Sequence, residues 1–77
     1  MEVKMPKFSE RLKELRKEKK ITQVEMANLL ECAEYHYQKI EYGQINISAL
    51  TLEFLADYFE VSMDYLAGRT DKREVNR

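Results

Sequence analysis

The sequence has a single cysteine, two glycines and one proline in 77 residues. One thiol, Cys32, excludes a disulfide framework within the chain and a cysteine cluster for zinc, and it fits a reducing, cytoplasmic location. No apolar run approaches the roughly 20 residues needed to cross a bilayer, and the start Met1-Glu2-Val3-Lys4 lacks the apolar core of an export signal. No stretch alternates apolar and polar residues with period two, so strands are not expected. Catalytic sets are missing too. There is no evident Ser/His/Asp or Cys/His set and no glycine-rich phosphate loop, and the lone His36 has no second ligand at metal spacing. No enzyme activity, cofactor, metal site or small-molecule substrate is expected.

What is present is a short chain, 44% hydrophobic and 35% charged, enough for one thin-cored soluble domain. The formal net charge is only -1 but is unevenly spread. Residues 1–20 carry eight Lys or Arg against four Glu, residues 21–68 carry Lys39 alone against eight acids, and residues 69–77 return to +2.

Apolar spacing predicts five helices. Phe8, Leu12 and Leu15 recur at four and three residues, giving an amphipathic helix over about 7–19 whose other faces carry Arg11, Lys13, Lys17 and Lys20. Thr22 with Glu25 has the spacing of a capping box and opens a short second helix with Met26, Ala27 and Leu30 on one stripe. Ala33, Tyr37 and Ile40 mark a third, closed by Gly43 in a left-handed conformation. Ser48 precedes a fourth, with Leu52, Leu55, Ala56 and Phe59 facing inward, and Ser62 a fifth that ends at Gly68. The expected domain spans residues 1–68, followed by a polar, frayed tail over 69–77. The tight turn between the second and third helices suggests a helix-turn-helix. With Tyr37 and Ile40 turned inward, Glu34, Tyr35, Gln38 and Lys39 are left outside.

The string Ile21-Thr22-Gln23-x-x-x-Ala27-x-x-Leu30, then Tyr37-x-x-Ile40-Glu41-x-Gly43, resembles the Xre and Cro phage-repressor family of helix-turn-helix DNA-binding proteins. Leu12-x-x-Leu15-Arg16 is similar to that family's first helix and residues 55–66 to its last two, so the likeness covers about residues 7–68. It implies an all-α, five-helix phage-repressor-like domain acting as a sequence-specific transcriptional regulator. The third helix would enter the major groove of double-stranded DNA, with contacts from Thr22, Gln23, Glu34, Tyr35, Gln38, Lys39 and Tyr42. Gln23 corresponds to the family's phosphate-contacting Gln. Gln38 suits adenine, Lys39 guanine, Glu34 the cytosine amino group, and Tyr35 a thymine methyl or a phosphate. The likeness also implies a partly buried Arg16–Glu41 pair between the first and third helices.

Five features depart from that pattern or extend it. Glu31 stands at a turn position usually held by Gly, and Ala33 replaces the usual Ser or Thr cap, a loss of about 1 kcal/mol. Residues 21–47 hold four acids and one base, so phosphate neutralisation falls to the first helix, the termini and a second subunit. The basic run over 16–20 reads equally as a solvated face or as a flank for DNA. Leu50, Phe54 and Tyr58 form a second apolar stripe, extended by Met63 and Tyr65, which is expected to pair across a two-fold axis in a homodimer. The alternative function is an antitoxin-like or antirepressor-binding protein-interaction module on the same scaffold.

Overall fold

Hydroxyl side chains set where the helices begin. In the computed structural model, which describes residues 7–74, α1 (Phe8–Glu18), α2 (Gln23–Leu29), α3 (Glu34–Glu41), α4 (Ala49–Tyr58) and α5 (Met63–Ala67) follow one another, with no strand among the described residues. Pro6, the expected start of the domain and the end of the tail lie outside those residues. At α2 the Glu25 N–H donates to Thr22 Oγ1 (3.1 Å) and the Thr22 N–H to Glu25 Oε1 (3.2 Å), completing the capping box. Ser48 and Ser62 accept from the N–H groups of Thr51 and Tyr65 at the starts of α4 and α5. Ala33 leaves α3 with no side-chain cap.

All five helices end alike. A left-handed residue follows the last turn, and two backbone N–H groups reach back to orphaned carbonyls; at α3, Gly43 N–H bonds Ile40 O (3.1 Å) and Gln44 N–H bonds Lys39 O (2.9 Å). Only two of these positions are glycine. Lys20, Glu31 and Glu60 take the same conformation with φ of 57°, 55° and 56°, each at a cost on the order of 1 kcal/mol. Gly68 has a second constraint, because a Cβ there would sit 2.9 Å from Lys7 Cβ.

Leu12, Met26, Tyr37, Leu55 and Leu66 are fully shielded at the centre, joined by Phe8, Leu15, Ile40 and Phe59. Each shielded Leu or Met contributes on the order of 1.5–3 kcal/mol. In this frame α3 packs on both α1 and α2, and α5 on both α1 and α4.

Three expectations fail on one side of the molecule. Arg11, read as part of the solvated face, is 9% exposed. Its guanidinium lies 4.1 Å over the Tyr65 ring and donates to the carbonyls of Tyr65 and Thr70 and to Asp71. Residues 69–74 are therefore not frayed. The Ser62 N–H donates to Arg73 O (2.8 Å), and the Arg73 guanidinium spans both Glu18 oxygens (2.9 and 2.6 Å) while donating to the Tyr65 hydroxyl. Tyr65 is consequently buried between Arg11 and Arg73, not part of an exposed stripe.

Candidate nucleic-acid interface

α3 is positioned by its inner face. Tyr37 and Ile40 insert into the core, which leaves Glu34, Tyr35 and His36 exposed in the first turns and Tyr42 exposed at the end. Tyr35 is 68% exposed and Tyr42 58%. Gln38 and Lys39 are half-buried, for different reasons.

Gln38 is held by a polar chain that starts on α1. Arg16 donates Nε to Glu41 Oε2 (2.8 Å), Nη2 to Glu41 Oε1 (2.9 Å) and Nη1 to Ile21 O (2.8 Å). Glu41 is 3% exposed, so Arg16 is its compensating charge. The carboxylate only accepts, which turns the Gln23 amide nitrogen inward in a long contact of 3.4 Å and the Gln23 oxygen outward. That oxygen accepts Gln38 Nε2 at 3.3 Å. Gln38 thus keeps its own carbonyl oxygen and a second amide hydrogen, neither with a partner among the described residues.

Burial alone would raise the Glu41 carboxyl, but the Arg16 hydrogen bonds and charge, helped by Gln23, hold it below the ordinary range. Glu41 in turn raises Arg16. The buried Tyr37 hydroxyl has no hydrogen-bond partner in the described residues, and burial next to the Glu41 carboxylate drives its ionisation well above the usual phenol range.

Lys39 is half-buried because it folds back. Its Nζ lies 4.5 Å over the Tyr35 ring, so the one cation of the α2–α3 segment is held by an aromatic face. Thr22 and Gln23 sit at the N-terminal end of α2, beside Gln38; the Thr22 hydroxyl is already engaged in the cap. Glu34 stands apart from this chain, at the opposite end of α3 from Glu41.

The α4 stripe lies elsewhere on the surface. Leu50 is 78% exposed, Phe54 43% and Tyr58 39%, with the Phe54 and Tyr58 rings stacked at 6.4 Å. Leu50 and Phe54 also wall a shallow groove of about 290 Å³ with Leu29, Leu30 and Thr51. Cys32 packs half-buried against the core, near His36.

Sequence reasoning missed three features of this site and its support: the Glu41–Gln23–Gln38 chain, Lys39 lying over Tyr35, and the burial of Arg11. Two glutamines and a lysine four residues after a tyrosine are weak signals for the first two. Arg11 bonds mainly to backbone carbonyls, which carry no signal at all.

Among the described residues no group of His, Cys, Asp and Glu is arranged to hold a metal, and no helix is long and apolar enough to cross a membrane. The sequence pattern of a helix-turn-helix domain matches residues 9–72. The chain is 41% identical over 59 residues to the "Uncharacterized HTH-type transcriptional regulator YqaE" of Bacillus subtilis (strain 168), an alignment covering 77% of this chain and 51% of that protein. The chain thus spans about half the length of the curated relative it matches. No solved structure matches it. With the domain pattern covering most of its length and the Arg16–Glu41 pair bracing α3 against α1, the chain belongs to the helix-turn-helix domain family.

Proposed function

We propose that this protein is a cytoplasmic, repressor-like transcriptional regulator whose α3 enters the major groove of a short operator. The observation that carries the reading is the hydrogen-bonded chain from Arg16 through Glu41 and Gln23 to Gln38. It presents a paired donor and acceptor on the outer side of α3, the pattern that reads adenine in two bonds. The second amide hydrogen of Gln23 and the free N–H groups at the start of α2 hold a phosphate, and Tyr35, Lys39, Glu34 and Tyr42 supply the remaining contacts. The stripe Leu50, Phe54 and Tyr58 pairs two copies, so the site is a palindrome with half-sites about one helical turn apart.

Selecting bound duplexes from a random pool at stated salt tests this. A consensus with two half-sites supports the reading. Gln38→Ala or Lys39→Ala then changes the preference among sites, whereas Gln23→Ala weakens every site and only loosens the preference that Gln38 sets. An empty selection overturns it. A second reading draws on the acidic surroundings and the two exposed tyrosines of α3: a protein-interaction module with little DNA affinity. Charge changes separate the two. Glu34→Gln tightens DNA binding and Lys39→Ala weakens it under the first reading; under the second, both disturb a protein complex and leave DNA retention unchanged.

A further inference from the structure

Residues 21–47 carry four acids and Lys39, and Lys39 is folded over Tyr35. A duplex on α3 therefore meets little positive charge from α2 and α3 themselves. The nearest cations stand on α1. Ser9, Lys13 and Arg16 recur at four and three residues and so form one stripe, with Lys17 beside it, and Lys20 follows the helix in the left-handed turn that leads to Thr22. Two contacts fix where that stripe lies. Arg16 is bonded to Glu41 at the end of α3, and Ser9 Oγ lies so near Gly43 that a Cβ there would be 3.3 Å from it. The stripe thus runs along the C-terminal half of α3, and Lys20 stands two residues before Thr22. Lys13, Lys17 and Lys20 are exposed, and none has an ion-pair partner among the described residues.

We infer that Lys13, Lys17 and Lys20 form a phosphate-binding edge that receives the backbone of the same duplex whose groove holds α3. The inference rests on the DNA-binding reading above and adds to it the charged phosphate contacts, which it assigns to residues 13–20. Exposed lysines facing a polyanion gain affinity chiefly by counterion release, which is independent of sequence and steeply dependent on salt. Lys19 supplies an internal control. It belongs to the same basic run but lines the opposite cleft with Glu18, Glu60, Arg73 and Glu74.

The test measures binding of the full chain to one selected duplex and to one scrambled duplex across a salt series. The variants are Lys13→Gln, Lys17→Gln and Lys20→Gln, singly and together, with Lys19→Gln as control. Each edge substitution is expected to lower the slope of log affinity against log salt by about 0.9, and to weaken both duplexes by the same factor. The triple variant loses between two and three such increments, its Lys→Arg counterpart keeps the slope, and Lys19→Gln leaves it unchanged. An unaltered slope in the triple variant overturns the edge while the DNA-binding reading stands. An equal loss from Lys19→Gln also overturns it, since net charge alone would then be at work. If the unmodified chain binds no duplex at any salt, the parent reading fails and the edge with it.

Discussion

Two arginines five residues apart on α1 hold different halves of the molecule by different means. Arg16 engages one buried carboxylate through two hydrogen bonds and so fixes α3. Arg11 engages two backbone carbonyls, the largely exposed Asp71 and the face of Tyr65, and so fixes α5 and residues 69–74. The difference lies in what remains when each is removed. Loss of Arg16 strands a charge; loss of Arg11 strands only carbonyls, some near enough to the surface to take water.

That contrast ranks the consequences of substitution. Arg16→Ala should cost about 3–5 kcal/mol, because Glu41 stays buried without its partner, and denaturant unfolding would report it. A double change to Arg16→Met and Glu41→Leu should recover most of that loss. If it does not, the pair is more than mutual compensation and the comparison breaks. Arg11→Leu should cost about 2 kcal/mol, from three lost hydrogen bonds and two unsatisfied acceptors. It should also open residues 69–74 to trypsin while leaving the far-ultraviolet signal of the helices intact. Equal losses from the two single variants would erase the distinction.

Acid sharpens it further. The Glu41 carboxyl is held below its ordinary value of 4.5, so the folded chain binds fewer protons there than the unfolded chain. Stability from this group is full above about pH 4.5 and is lost as pH falls through the lower folded value. Glu41→Gln should flatten that acid limb clearly, whereas Arg11→Leu should alter it only slightly, through the exposed Glu18 carboxyl that Arg73 holds low; thermal melts across pH 2 to 6 would decide. Asp71→Asn should have the smallest effect, under about 0.5 kcal/mol, since the carboxylate is largely exposed.

The same contrast explains what could be read without coordinates. Thr22, Ser48 and Ser62 announce their helix starts because a hydroxyl before an apolar stripe satisfies a local need. Glu31 was legible because the family pattern usually has Gly at that turn, and its φ of 55° agrees. Arg16 could be paired with Glu41 because both partners are side chains of opposite charge beside apolar stripes, and family likeness named the pairing. Nothing of that kind marks Arg11. A carbonyl acceptor has no residue identity, and a wheel drawn from α1 alone cannot show that α5 and the following strap cover its basic side. Tyr65 was misread for the matching reason: an aromatic near an apolar ridge looks like interface until the two guanidiniums around it are seen. The link from Gln23 to Gln38 needs the angle between two helices, which spacing along the chain does not supply.

The acceptors of Arg11 lie 54, 59 and 60 residues further along the chain. During synthesis α1 is therefore complete long before its guanidinium has anywhere to go, and a nascent chain stopped within α4 must leave Arg11 in water with the apolar flank beside it uncovered. Emergence of residues 65–71 from the ribosome closes that seam, so vectorial folding of this domain is expected to wait for them.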